Sequence, residues 1–163
     1  IWNYGKPDVS YLLTHFNAYI KHLRKSGVSG KAVAAAKTKR KVKFTEYERR
    51  VRVRGSSDEM LSIGNRHLNG IGVKRDPGKA LSWFKRSAEL GNAKAQYTLG
   101  VLYNTGLGAP QNLRQAYKWL SLASIQGHKK ANAIRGKLKS HLSTKQILIV
   151  NEWIAKWRPK RID

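Results

Sequence analysis

The sequence contains no cysteine, which excludes disulfide staples and metal sites built on thiolates. It also lacks any run of about 18 apolar residues, the length a helix needs to span a bilayer. Histidines are few and scattered, at His15, His22, His67, His128 and His141. His15 and His22 are seven residues apart, about 10 Å along a helix, too far to share one metal ion. Neither His-x-x-x-His nor His-Glu-x-x-His occurs, so structural roles are expected for all five. Acid is scarcer still, with nine Asp and Glu against 33 Lys and Arg in 163 residues, a net charge of +24. Glu46 and Glu48 lie among cations, where salt bridging is their natural role. No nucleophile–base pair emerges. The sequence therefore assigns no catalytic residue, no cofactor or cofactor-binding residue and no metal ligand.

What the chain does have is a repeat. Shifted by 36 residues, Gly64 falls on Gly100 and then on Gly136, and Gly70 and Gly72 fall on Gly106 and Gly108. Ala80 falls on Ala116, Trp83 on Trp119, Gly91 on Gly127 and Ala95 on Ala131. A period in the mid-thirties marks an array of helical hairpins, each burying its apolar face against its neighbours. Ala95, Leu99, Val101, Leu102 and Tyr103 fit one helix, with Gly100 letting a second helix approach closely. Gly106-Leu107-Gly108 then breaks that helix. Such glycines are turns between repeat helices and not a phosphate loop. Ala116, Trp119, Leu120 and Ala123 form the second helix, closed by Gly127. Asn112 with Gln115 three residues on signals its start, as Asp76-Pro77 does in the preceding unit.

At these residues the chain resembles the Sel-one-like repeat family, relatives of the tetratricopeptide repeats. The family unit reads Ala-x-x-x-Leu-Gly-x-x-Tyr, then Gly-x-Gly, then Ala-x-x-Trp with a small pair and a closing Gly. The copy from Ala95 to Gly127 fits nearly throughout, with Ser124 in place of the second small Ala. The preceding copy departs at Glu59 and His67, where Ala and Tyr are expected. The third carries Arg135 and Lys139 where Leu and Tyr belong and reads as a degenerate cap. Leu142 through Pro159 resembles the terminal helix of such arrays. The resemblance covers roughly residues 59–159. It implies an all-α, short right-handed helical-hairpin solenoid and a role in binding proteins without catalysis.

The charge sets this chain apart from a generic array. From Met60 onward 19 basic residues stand against four acids, and the first 59 residues carry 14 against five. Such an excess repels itself and calls for a polyanionic partner: nucleic acid first, an anionic membrane or acidic protein second. Residues 8–25 read as an amphipathic helix, with Val9, Leu12, Leu13, Phe16, Tyr19, Ile20 and Leu23 on one stripe that packs on protein, its own array or a neighbour. Trp2 and Tyr4 in the lead before it are candidate anchors. Ser26 to Gly30 is a linker by composition. In residues 31–54 ten cations face only Glu46 and Glu48. Ala32 to Ala36 fits the start of a helix, while Val51 and Val53 alternating with arginines fit a short strand or an extended arm. Phe44 and Tyr47 are interleaved, a combination suited to phosphate neutralisation with rings for stacking on bases.

The expected organisation is an N-terminal helix and linker over 1–30, a basic arm over 31–56, the array with its capping helix over 57–159, and a basic tail over 160–163. The leading functional expectation is a structural subunit of a ribonucleoprotein, most readily a mitochondrial ribosome, otherwise a cytoplasmic assembly. Its RNA contacts are expected at Lys37, Lys39, Arg40, Lys41, Lys43, Arg49, Arg50, Arg52, Arg54, Arg158, Lys160 and Arg161, with the array holding neighbouring proteins. The alternative is a protein–protein adaptor whose basic surface meets an acidic protein or anionic membrane. Ile1 in place of Met fits either a removed targeting peptide or a trimmed sequence.

Overall fold

The computed structural model describes residues 30–161, together with Lys21, Lys25 and Gly27. The helix expected over 8–25 (Lys21 and Lys25 apart) and the aromatic pair Trp2 and Tyr4 lie outside the described residues. Among those described, seven helices follow in order: α1 (Gly30–Arg54), α2 (Ser57–Asn69), α3 (Pro77–Glu89), α4 (Ala93–Thr105), α5 (Leu113–Ile125), α6 (Lys129–Lys139) and α7 (Thr144–Lys156). No strand occurs among them. Helices α2 and α3 form one hairpin and α4 and α5 the next; α3 packs on α4, α5 on α6, and α7 returns to α5. This is the all-α helical-hairpin array that the 36-residue period implies.

Each boundary is written in the sequence. Asp76 accepts a hydrogen bond from the Lys79 amide, and Pro77 opens α3. Asn92 and Asn112 cap α4 and α5 by accepting from the amides of Ala95 and Gln115. Ser56 with Glu59, and Ser143 with Gln146, complete reciprocal capping boxes on α2 and α7. Each such cap is worth about 1 kcal/mol. Gly70 and Gly106 end the first helix of each hairpin in the left-handed conformation, at φ 70° and 74°.

The core follows the repeat. Ala80, Phe84 and Ala88 of α3 meet Ala95, Leu99 and Leu102 of α4 and Trp119 and Leu122 of α5, with Trp153, Ile154 and Trp157 packed against them from the C-terminal side. A second cluster joins Tyr117, Leu120 and Ala123 to Ala131, Leu138 and Val150. The small residues at the period set how close the helices come. A Cβ on Gly64 would stand 2.6 Å from the Phe84 ring, and one on Gly100 2.6 Å from Leu120 Cγ. The third position, Gly136, faces open space, in keeping with a copy degenerate at Arg135 and Lys139.

Residues 31–54, left open between helix, strand and extended arm, lie in one continuous helix, Gly30–Arg54, of 25 residues, about 37 Å long. The arginine–valine alternation does not produce a strand, because Val51 alone is drawn into the array. It is fully buried with Met60, Ile63 and Trp83, and Phe44 and Tyr47 pack against the same cluster. The two departures of the first copy lie where α1 docks. Glu59 is the carboxylate of the α2 capping box and stands 4.0 Å from Arg50. His67 is buried, and its Nε2 is paired with the Glu48 carboxylate of α1. The Phe44 ring lies 6.0 Å from the His67 ring, and the Arg66 guanidinium sits 4.6 Å over Phe44. An alanine and a tyrosine there would lack these partners for α1.

Candidate interaction face

The residues expected to meet phosphate fall into two groups. On α1, Lys37, Lys41, Arg49, Arg50, Arg52 and Arg54 are exposed; the side chains of Lys39, Arg40 and Lys43 lie outside the described ones. Arg50 lies 5.3 Å over the Tyr47 ring, and burial, with the nearby Glu59 carboxylate, raises the Tyr47 phenol above its ordinary pKa. Lys37 and Lys41 share a cleft of about 810 Å³ with Lys74 and Arg75 from the turn between α2 and α3 and Lys79 from the first turn of α3. The last turn of α1 belongs structurally to the array: Arg52 lies 5.6 Å over Trp83, and Arg86 donates a hydrogen bond to the Arg52 carbonyl.

The second group sits at the other chain end. After Trp157 the backbone turns back to the C-terminal end of α3. There the Lys160 amide donates to the Glu89 carbonyl at 2.8 Å and the Lys160 ammonium to the Glu89 carboxylate, also at 2.8 Å. Pro159 packs beside Gly91. This return brings Lys160 and Arg161 to Arg52 and Arg86 around a cleft of about 410 Å³. Two groups about 110 residues apart in sequence thus share one wall.

An adjoining cleft of about 370 Å³ lies between α3, α5, α7 and the tail. Lys85, Lys118, Arg158 and Lys160 line it, with Tyr103, Gln115, Trp119, Trp153 and Trp157. Glu89 is the one carboxylate on either wall among the described residues. The Lys118 ammonium rests 3.4 Å from the centroid of Trp153 and 5.1 Å from that of Trp119. Trp119 meets Trp153 edge-on at 5.9 Å, and Trp157 lies 6.3 Å beyond. Burial first, and then the neighbouring Lys85, pushes the Lys118 ammonium below its ordinary pKa. Such a wall has the means to hold an anion: a partly buried lysine over apolar rings, further cations beside it, and one carboxylate among the described residues.

Sequence reasoning marked Arg158, Lys160 and Arg161 but missed Lys85, Arg86, Lys118, Trp153 and Trp157. The spacing of four between Trp153 and Trp157 was a readable sign of one helix face. Nothing local said that this face would close over Lys118. Among the described residues no group of three or more His, Asp or Glu gathers as a metal site, and no helix is long and apolar enough to cross a membrane.

Comparison with known proteins agrees with the architecture. Residues 60–92 and 93–128 match the family described as Sel1 repeat. A protein of Rattus norvegicus, DAP3-binding cell death enhancer 1, is 40% identical over 71 residues, covering 44% of this chain and 14% of its own length. A protective antigen of uropathogenic Escherichia coli that displays an SLR fold superposes with a TM-score of 0.58 at 32% identity, over 64% of this chain and 24% of that one. A Sel1 repeat protein from Oxalobacter formigenes gives a TM-score of 0.49 at 32% identity, over 51% of this chain and 34% of its own. The chain therefore spans only a small part of the length of these relatives.

Proposed function

Because the chain carries two Sel1 repeats, over residues 60–92 and 93–128, we propose that it is a non-catalytic scaffold that binds an acidic protein. The binding face is the one formed by α3, α5, α7 and the returning tail. One observation carries this reading: across the two adjoining clefts Arg52, Lys85, Arg86, Lys118, Arg158, Lys160 and Arg161 face, among the described residues, a single carboxylate, Glu89, already paired with Lys160. A helical array gives that face a rigid frame, and the uncompensated charge selects an acidic partner and speeds the encounter. The rat relative is itself named for binding a protein.

A second reading has its own support. The cleft that gathers Lys37 and Lys41 with Lys74, Arg75 and Lys79 keeps a net positive lining against Glu48 and Asp76, which suits phosphate, and α1 would then contact RNA in a ribonucleoprotein through its exposed lysines and arginines. Placement in a ribosome or a mitochondrion draws no support from the repeat match or from the relatives' descriptions.

Purification from native extract, split and treated with or without ribonuclease, separates the two. A scaffold for an acidic protein keeps its co-purifying proteins after nuclease and loses them at high salt. Loss of every partner on nuclease treatment would make RNA the ligand and the second reading the correct one.

A further inference from the structure

The tryptophan–lysine cleft between α3, α5 and α7 contains an unfilled charge relationship. Lys118 is held over Trp153 by its ring and not by an acid; among the described residues no carboxylate comes within ion-pair distance of it. Glu89, the acid on that wall, is engaged by Lys160 at 2.8 Å. Arg158 donates from Nη1 to the carbonyls of Ala155 and Trp157, and among the described residues no carboxylate pairs with it. Lys85 is exposed at the rim. Partly exposed Trp153 and Trp157 supply apolar surface beside these cations.

Resting on the scaffold reading above, we infer that this cleft docks a protein segment in which a carboxylate neighbours a large aliphatic side chain. The carboxylate sits among Lys118, Lys85 and Arg158, and the aliphatic group lies against Trp153 and Trp157. Two features favour a peptide over a nucleic-acid strand. The Lys118 ammonium already covers one face of Trp153, so a base cannot stack on that face, whereas an aliphatic group can lie against the remaining ring surface and Trp157. Glu89 stands on the wall and repels the closely spaced phosphates of a nucleic-acid strand more than an isolated carboxylate. An anion of either class meeting Lys118 also offsets the partial burial and the neighbouring Lys85 charge that disfavour its ammonium, which Glu89 offsets only in part.

The test uses the full chain and four fluorescent probes: equal-length peptides rich in Glu and Leu, in Gln and Leu, or in Glu and Ser, and an oligouridylate of similar charge. Anisotropy is read for wild type, K118M, K118R and K94M. Lys94 is an exposed lysine of α4 outside the cleft, so K94M removes the same net charge. The Glu–Leu peptide should bind tightest, at least about tenfold more tightly than either other peptide. K118M should weaken it about tenfold or more, K118R by much less, and K94M by under twofold, with circular dichroism melting curves alike. Equal losses for K118M and K94M would reduce the effect to net charge and overturn the site. Tighter binding of the oligouridylate, with the same dependence on Lys118, would make the cleft a nucleic-acid site. A concentration-dependent dimer that buries Trp153 would make a second copy the occupant. If protein partners survive ribonuclease yet ignore K118M, the scaffold reading stands and this site does not; if they are lost to ribonuclease, the scaffold reading itself fails.

Discussion

Replacing Trp119 by alanine is expected to lower the stability of the fold by about 3–5 kcal/mol, as truncation of large buried aromatics does. The indole is only 4% exposed and belongs to the cluster that ties α3, α4 and α5 together. It also supports Trp153 edge-on at 5.9 Å, so its loss loosens the contact between α5 and α7 as well. Urea titration followed by circular dichroism reads the change directly, and the melting temperature should fall on the order of 10 °C. An unchanged melting temperature would mean that the tryptophan at this point of the period is not what the helices pack around.

The second large effect concerns Gly108. Its φ is +87°, and a Cβ there would stand 2.4 Å from the Pro77 carbonyl oxygen. That obstacle is backbone at the start of α3, which no rotamer change can relieve. Gly108→Ala therefore combines positive-φ strain with a forced separation of the two repeats, and should cost about 2–4 kcal/mol. Two other glycines calibrate the claim. Gly127 has φ +85° but nothing within 4 Å of the added Cβ, so Gly127→Ala should cost only about 1 kcal/mol. Gly136 lies within α6, faces open space and has no positive φ; Gly136→Ala should stabilise by about 0.5–1 kcal/mol through helix propensity and a less flexible unfolded chain. Thermal melts of the three variants should fall in that order. A Gly108→Ala protein as stable as Gly127→Ala would show that the repeats do not touch at that turn.

The array was legible because its signals are local and occur twice. Trp83 and Trp119, the glycine turns and the Asp76 and Asn112 caps each fix a boundary or a buried position without reference to distant sequence. Helix α1 was harder to read, since Val51 and Val53 with their flanking arginines look alike as helix and as strand; the choice is made by Val51 entering a pocket of Met60, Ile63 and Trp83, a tertiary contact with no local signature. Glu59 and His67 looked like decay of the repeat and are instead where α1 attaches, through the α2 capping box and the pairing with Glu48. The candidate face was legible as charge but not as place. Lys160 and Arg161 were marked as basic, yet only the return of the tail to Glu89 sets them beside Arg52 and Arg86. Lys118 carried no signal of its own, because a lysine next to a core tryptophan is ordinary on a solvated helix. Only the approach of α7 turns it into a partly buried cation seated on the Trp153 ring.

The central claim is that an acidic protein occupies the face between α3, α5 and α7. The most direct measurement places a photo-crosslinking amino acid in the native chain at Gln115, which lines the cleft, and in a parallel sample at Lys94, which does not. After irradiation in native extract and ribonuclease digestion, crosslinks from position 115 should join an acidic segment of another protein. They should weaken when a Glu–Leu peptide is added, while position 94 gives little. Crosslinks from position 115 to RNA, or equal protein labelling from both positions, would contradict the account.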